Sequence, residues 1–437
     1  MASQGANRHT GARVRIVHRN ARRRTRRPRE RTRKSISLAF RAYFVARQSG
    51  WFAEGIATTA IAWQVYAIRH QALDLGLVGL IGFLPQLLLA VPAGLIADRL
   101  DRRAVVIVTG IGALIGSLLF LVLALQHSQS IAAYFGALLL YSTADALGVP
   151  ATRAMLPSLV SGERYLRATA LISSVSQFGT IAGPALAGVL IAFSAAWAFA
   201  AATVLQLVAI AAFFFLESRV LEEPHEESLW QSAVGGFRFV VDRKIILGAI
   251  SLDLVAVLFG GATALLPIYA TQILHVGATG YGMLRAAPAV GAAVVGLWLI
   301  RRPIRRNGAR WLFWCIAGFG LATIVFGLSH NMPLSLFALA ATGGFDMVSV
   351  VIRNALTQLG VPELMRGRVG AFENVFIGAS NQLGTFESGV VAQWLGPVAS
   401  VVLGGCATLL VVALWVVIFP ALRNFDHLDE RNLSSRA

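Results

Sequence analysis

Long apolar runs alternate with short polar connections along almost the whole chain. Each run can cross a bilayer as one helix, since about 20 apolar residues rising about 1.5 Å each span the hydrocarbon layer. The pattern therefore predicts an all-α membrane protein with about twelve transmembrane helices. The predicted ranges are 42–67, 76–97, 104–125, 131–149, 168–193, 197–216, 245–272, 279–300, 311–328, 334–352, 370–393 and 398–421.

Composition supports this interpretation and argues against a soluble enzyme. Of the 437 residues, 56% are apolar and 14% are charged, whereas charged residues make up about 25% of a soluble domain. The two cysteines, Cys315 and Cys406, lie in separate apolar runs and form neither a disulfide framework nor a metal site. Because no phosphate-binding loop and no H-E-x-x-H motif occurs, the sequence predicts no ATP-driven pump, no enzyme and no cofactor.

The net charge of +17 comes mostly from a basic block before residue 35. Such a block cannot bury itself, so we expect residues 1–38 to be a disordered cytoplasmic tail. Its expected partner is anionic lipid, at about 1 kcal/mol per basic residue near the surface. A solvated tail without function is the alternative, and no folded module or aromatic interleaving indicates nucleic-acid binding.

Loop charge predicts the orientation, since basic connections stay in the cytoplasm. Arginine and lysine cluster in alternate connections, and the opposite set contains only Arg69. Both termini are therefore expected inside, as an even helix count requires, and Trp230–Val241 could form a short helix on the membrane face. The predicted units are the tail 1–38, a six-helix bundle 39–216, a central cytoplasmic loop 217–243, a second six-helix bundle 244–421 and a cytoplasmic tail 422–437.

Two motifs of the first half recur in the second about 200 residues later, which indicates a parallel internal repeat. The spacing Arg153-x-x-Leu156-x-x-Leu159 returns at Arg353, and an aspartate precedes each copy, Asp145 and Asp346. Gln177-Phe178-Gly179-Thr180 likewise returns as Gln382-Leu383-Gly384-Thr385.

The charged stretch Gly94–Arg103 connects the second and third predicted helices. With its G-x-x-x-D-R core and the two halves, the chain resembles the major facilitator superfamily, although Asp101 replaces the glycine of the signature. Asp253–Pro267, Gly280–Ala287 and Arg366–Val369 resemble the branch of transmembrane secretion effectors that contains the enterobactin exporter. The resemblance covers roughly residues 36–425 and implies two six-helix bundles that transport a solute by alternating access.

The resemblance also implies a cytoplasmic gate. Asp98 would face the start of the eleventh helix near residue 370, and Arg102 would reach the foot of the fourth helix at Asp145. The alternative is a charge cluster that only sets the topology. The predicted gate residues are Gly94, Asp98, Arg99, Arg102, Arg103, Asp145, Arg153 and Arg353.

Four carboxylates lie inside predicted helices: Glu54, Asp253, Asp346 and Glu387. A charge there costs about 2.5–3.5 kcal/mol, so each carboxylate is expected to face a cavity or a partner. Because burial favours the protonated form of a carboxyl group, such residues are candidates for proton coupling. Glu54 and Asp253, in symmetry-related helices, are expected to face each other across the cavity. A structural ion pair is the alternative, with Arg353 on the same helical face as Asp346.

Gly179-x-x-x-Gly183-Pro184-x-x-x-Gly188 places small residues at every fourth position of the fifth helix. It resembles the G-P-x-x-G-G element of superfamily antiporters, with Ala187 in place of one glycine. The spacing predicts either a close approach of another helix or a gating hinge.

Arg285 has no obvious local partner, so it is expected to pair with a carboxylate across the cavity or to bind an anionic substrate. Aromatic residues predict an apolar substrate cavity, and anchoring at the membrane interface is their alternative role. The predicted lining residues are Trp63, Tyr66, Phe83, Phe259, Tyr269 and Arg285.

Together these features predict a proton-coupled secondary transporter of a bacterial-type cytoplasmic membrane. We expect a monomer that exports a small amphipathic compound, siderophore-like or drug-like, in exchange for protons. An importer on the same fold and a non-transporting scaffold or sensor are the alternatives. The direction of flux separates the importer, and deletion of residues 1–35 separates the scaffold.

Overall fold

The computed structural model describes residues 29–160, 163–216, 229–304 and 307–423, which form helices and no strand. A 3₁₀ turn at Gly261–Leu265 and a π-helical turn at Tyr269–Ile273 continue the helix that begins at Lys244. The helices are α1 (Arg29–Arg69), α2 (Ala72–Leu88), α3 (Ala90–Arg99), α4 (Arg102–Leu125), α5 (Ile131–Leu159), α6 (Glu163–Phe193), α7 (Ala195–Phe213), α8 (Leu229–Asp242), α9 (Lys244–Leu258), α10 (Leu266–Ile268), α11 (Gly277–Arg301), α12 (Gly308–Gly327), α13 (Met332–Gly360), α14 (Glu363–Leu395), α15 (Pro397–Ile418) and α16 (Pro420–Arg423).

The predicted all-α membrane fold is confirmed. Within the described ranges, nine helices are long and apolar enough to cross a membrane, and α2 with α3 forms a tenth, bent by 49°. The remaining long helices, α1 and α14, carry more polar residues. Counting them gives twelve long segments, a number consistent with the prediction.

Several helices extend beyond the apolar runs that predicted them. Helix α5 continues to Leu159 because it accommodates Pro150 within its length, and α1 already begins at Arg29, inside the segment expected to be disordered. The predicted short helix at Trp230–Val241 is present as α8. Residues 1–28, 217–228 and 424–437, which include most of the predicted tails and the acidic part of the central loop, lie outside the described residues.

Helices α1–α7 are termed the N-terminal half and α9–α15 the C-terminal half. The repeated motifs occupy equivalent places, since Arg153 lies in α5 and Arg353 in α13, and both helices contain 29 residues. Each half has its own apolar core, centred on Phe120 and Phe199 in the first and on Leu312 and Leu356 in the second.

A further apolar cluster joins the two halves. It packs Tyr66 and Leu75 of the N-terminal half against Tyr269, Tyr281 and Ala392 of the C-terminal half. These residues lie near the short connections 70–71, 274–276 and 396, and this end of the molecule is termed the short-loop face. The opposite end carries the arginines at the ends of helices, including Arg99, Arg102, Arg243 and Arg301, and is termed the arginine-rich face.

Candidate functional site

A cavity of about 660 Å³ lies between the two halves and is termed the central cavity. Its walls come from α1, α2 and α5 on one side and from α9, α11, α12, α13 and α14 on the other. The lining reaches Asn354, six residues before the end of α13 at the arginine-rich face. Five carboxylates line it: Glu54, Asp145, Asp253, Asp346 and Glu373.

Glycine pairs bring the two halves into close contact near the short-loop face. A Cβ atom at Gly188 of α6 would lie 2.6 Å from the Cα atom of Gly282 in α11. A Cβ atom at Gly389 of α14 would lie 2.8 Å from the Cα atom of Gly76 in α2. Only residues without a side chain permit this approach of the helix backbones.

Polar and aromatic contacts reinforce this closure. The Tyr281 hydroxyl of α11 donates a hydrogen bond of 3.2 Å to the Thr59 carbonyl of α1. The Tyr281 ring stacks on Trp63, with ring centroids 5.4 Å apart. The backbone N–H of Leu73 donates to the Gln393 Oε1 atom at 3.3 Å. The central cavity is therefore closed on the side of the short-loop face.

At the arginine-rich face, the motif Gly94–Arg103 holds its own half together. Arg102 Nη1 donates to the Ala154 carbonyl of α5 at 3.1 Å, and Arg103 Nη2 donates to the Phe214 carbonyl at 2.7 Å. The Asp101 carboxylate accepts from the backbone N–H of Arg103 and caps α4. Gly94 is buried in α3, which packs on α5.

The predicted gate contacts of this motif are not formed in this conformation, which is closed at the short-loop face, and they stay a prediction for the opposite conformation. Arg102 does reach the foot of the fourth membrane helix, but its partner is the Ala154 carbonyl and not Asp145. Asp98 and Arg99 are exposed, and neither makes a hydrogen bond or ion pair with another described residue. The side chain of Asp98 is thus not engaged with a described residue of α14 in this conformation.

In the C-terminal half, the buried carboxylate of Asp253 is paired. Arg353 Nη2 lies 3.0 Å from Asp253 Oδ2, and the Ser349 hydroxyl donates to Asp253 Oδ1 at 3.0 Å. The expected pairing of Asp346 with Arg353 is therefore wrong, because the guanidinium reaches across to α9. Asp346 lies within electrostatic reach of both partners, and Glu373 accepts a hydrogen bond of 2.9 Å from the Thr357 hydroxyl.

In the N-terminal half, Glu54 of α1 and Asp145 of α5 lie within electrostatic reach of each other and of Arg47. Arg153, one of the predicted gate residues, interacts with Asp145. These four side chains also line a second cavity of about 440 Å³, which shares Glu54 and Asp145 with the central cavity. The sequence analysis did not predict Arg47 and Glu373 as site residues, because in the sequence they resemble the ordinary charged residues near helix ends.

The two groups of charged residues are related by the internal repeat. Glu54, Asp145 and Arg153 stand on α1 and α5, and Asp253, Asp346 and Arg353 stand on the corresponding helices α9 and α13. Each half thus contains two acids and one arginine that correspond by the repeat, which we term a wall triad. Glu54 and Asp253 line opposite sides of one cavity. Carboxylates partly removed from water and beside arginine can bind and release protons.

The other predicted site residues fall into two groups. Arg285 lines the central cavity, and Phe83 lines the second cavity. Trp63, Tyr66, Phe259 and Tyr269 pack in the apolar interior and line neither cavity in this conformation, and their role in a substrate site stays a prediction. Glu387 also lies outside both cavity walls, and its nearest described partner is the Ser388 hydroxyl at 3.4 Å.

The small residues of α6 make close helix contacts. Gly183 packs against Gly55 of α1, Gly179 lies against Trp51 and Phe52, and Gly188 meets α11. Helix α6 remains continuous through Pro184. The expected close approach is therefore present, and a hinge at Pro184 stays a prediction. Among the described residues, no three histidines, cysteines, aspartates or glutamates are grouped so that they could hold a metal ion.

Comparison with known proteins identifies relatives along nearly the whole chain. Residues 36–436 match the family model described as transmembrane secretion effector. The chain is similar to the enterobactin exporter EntS of Citrobacter koseri, with 29% identity over 394 residues that cover 89% of this chain and 93% of that protein. It is 27% identical over 392 residues to the enterobactin exporter EntS of Escherichia coli K12, with the same coverage.

Solved structures show the same fold at low sequence identity. The nucleoside transporter NupG superposes with a TM-score of 0.68 at 11% identity, covering 87% of this chain and 99% of that one. The human organic anion transporter MFSD10 superposes with a TM-score of 0.54 at 17% identity, covering 88% and 99%. These likenesses show that the chain shares its fold with both proteins.

Proposed function

Since this chain belongs to the transmembrane secretion effector family of major facilitator transporters, we propose that it is a proton-coupled antiporter that exports a small amphipathic compound. The observation that carries this proposal is the central cavity, which is lined by the two acids of the wall triad of each half. Proton coupling requires titratable groups that contact the transport pathway, and these triads place four acids there.

Alternating access would use the glycine contacts at the short-loop face. In the present conformation these contacts close one side, and the cavity faces the arginine-rich face. Rotation of the halves would separate Gly188 from Gly282 and Gly76 from Gly389, and would bring α3 towards α14. Asp98, exposed here, would then meet the start of α14 as a gate, and bending of α6 at Pro184 during the rotation would assist the movement.

Coupling would come from competition for the wall carboxylates. A substrate with hydroxyl or amine donors binds the ionised form of Glu54 or Asp253, whereas a proton converts the same oxygen atoms to the neutral form. Proton entry from one side would therefore displace the substrate, and substrate entry from the other side would displace the proton. The Arg353 guanidinium beside Asp253 would hold that carboxylate in place between turnovers.

The relatives, which are enterobactin exporters, support a proposal for the substrate class. We infer a siderophore-like compound and an outward direction of transport. We further propose that the arginine-rich face and both termini are cytoplasmic, that the protein works as a monomer, and that the basic residues before position 35 adhere to anionic lipid.

Proteoliposomes that carry an imposed pH gradient, with enterobactin as the probe, test this proposal. The wild-type protein is expected to move enterobactin in the direction opposite to the proton gradient. Glu54→Gln and Asp253→Asn should abolish the gradient-driven part of the flux, measured on the monodisperse fraction of each variant. Glu387→Gln is the matched control, since that carboxylate lies outside the cavity walls. Unchanged gradient-driven flux in both cavity variants would refute the proposed coupling.

A further inference from the structure

Arg285 is a cation of the central cavity that has no carboxylate partner among the residues that the structure describes. It lies in α11, is half-buried and lines the cavity. No carboxylate oxygen of the described residues lies within 4.0 Å of its guanidinium, whereas the guanidinium of Arg353 is paired with Asp253. The neighbour that interacts with Arg285 is the Tyr281 hydroxyl, whose proton is donated to the Thr59 carbonyl.

An arginine in this position is unfavourable without a negative partner. A guanidinium partly removed from water loses hydration, and a neutral phenol oxygen compensates for less of that loss than a carboxylate does. The protein places carboxylates near its other cavity arginines, as at Asp253 and Asp145, but none at Arg285. The open side of this guanidinium is the cavity, so the missing partner is a group that enters the cavity.

Arg285 also lies at a different depth from the acids of its own half. Gly343 of α13 packs directly against Pro288 of α11, and the two helices run in the same direction. Arg285 is three residues from Pro288 towards the short-loop face, and Asp346 is three residues from Gly343 in the opposite direction. Six residues correspond to about 9 Å along the helix axes, so Arg285 lies deeper, just below the closure.

The wall that carries Arg285 also contains apolar side chains. Phe319 and Phe326 of α12 and Leu339 of α13 line the cavity, with the small hydroxyl residue Thr342 beside them. A molecule that fits this end needs one anionic group for the guanidinium and an apolar or aromatic body for the phenyl rings.

We propose that Arg285 is the anion-binding residue of the central cavity, and that it recognises a carboxylate or a similar oxyanion on an aromatic, amphipathic substrate. This inference rests on the proposed transport function and names the charge of the transported molecule. The wall triads bind protons and donor groups nearer to the arginine-rich face, and Arg285 binds the anionic end below the closure.

Binding of naphthoate and of its neutral amide, naphthamide, tests the inference. Both probes share one aromatic body and differ in charge. Titration calorimetry on the full chain in nanodiscs is expected to show naphthoate binding about tenfold more tightly than naphthamide. Arg285→Met should weaken naphthoate by about tenfold and leave naphthamide within about twofold, and Arg285→Lys should keep part of the preference.

Arg301→Met is the matched control, because Arg301 is an exposed arginine at the end of the same helix and outside the cavity. It should bind both probes as the wild type does. Equal affinity of the wild type for the two probes, absence of naphthoate binding, or an unchanged preference in Arg285→Met would overturn the inference. If Arg285→Met does not fold, the relative affinities of the wild type and of Arg285→Lys for naphthoate and naphthamide still test the inference.

The outcome is independent of the coupling test. If the wild type does not prefer naphthoate but shows gradient-driven flux, the anion-site inference is refuted and the antiporter proposal is not. If the wild type prefers naphthoate but shows no gradient-driven flux, the proposed coupling is refuted and the anion-site inference is not.

Discussion

A single methyl group at Gly282 would act directly on the closure between the halves. In the present conformation the Cβ atom of Gly282→Ala would lie 2.7 Å from Gly188 Cα and 2.8 Å from the Pro184 carbonyl oxygen, whereas ordinary contacts begin at 3.4 Å. Both neighbours are backbone atoms, so no side chain can rotate away. Helices α6 and α11 must therefore separate by about 0.7 Å, the difference between 3.4 and 2.7 Å.

The energetic effect follows from overpacking, which costs about 1–3 kcal/mol. The methyl group meets these atoms only while the short-loop face is closed, so it destabilises that conformation relative to the one that is open there. Since 1.4 kcal/mol is a factor of ten, the population open at the short-loop face should rise about 5- to 150-fold, if it is small at the start.

Thiol labelling measures this population. The reporter is Val78→Cys in the cavity wall, in a protein whose own cysteines, Cys315 and Cys406, are replaced by alanine. Right-side-out vesicles that contain this protein are treated with a membrane-impermeant maleimide. Labelling should be at least about fivefold faster with Gly282→Ala. Gly136→Ala is the control, because nothing lies within 4 Å of that Cβ position. Labelling of Gly282→Ala at the unmodified rate or slower would refute the proposed closure.

Two further predictions concern arginines whose partners the structure identifies. Arg353→Met leaves the Asp253 charge buried without its partner and should lower the free energy of unfolding by about 3–5 kcal/mol. In thermal unfolding in detergent, the double variant Arg353→Met with Asp253→Asn should be more stable than Arg353→Met alone, and the reverse order would contradict the pairing. Arg102→Ala removes guanidinium hydrogen bonds to backbone carbonyls and should cost about 1.5–3 kcal/mol, whereas the exposed Arg99→Ala should unfold like the wild type; equal stability of the two variants would show that these bonds contribute little.

The membrane helices could be predicted from the sequence because apolar length alone identifies a span. Their ends could not. Pro150 directly follows the predicted helix 131–149, yet α5 continues to Leu159, since a proline inside a membrane helix is tolerated where neighbouring helices pack against it. The bend at Leu89 likewise leaves no mark in the hydrophobic pattern.

The acids of the site could be found because a carboxylate within an apolar run is costly and therefore conspicuous. Their partners could not be found in the same way. Spacing along one helix suggested Asp346 for Arg353, but the partner comes from α9, and only the packing of helices decides this. The aromatic residues failed for a related reason. Tyr269 is fully buried, with its hydroxyl bonded to the Gly327 carbonyl, and its residue type does not distinguish a cavity wall from a core.

Proton movement that accompanies substrate movement tests the central claim most directly. The protein is reconstituted into liposomes that contain a trapped pH-sensitive dye. There is no initial pH gradient, and valinomycin and potassium clamp the membrane potential. Enterobactin is then added outside the liposomes. The account predicts that the wild-type lumen becomes alkaline as enterobactin enters, and that Glu54→Gln combined with Asp253→Asn abolishes this change. Entry of enterobactin through the wild-type protein without any change of lumenal pH would contradict the account.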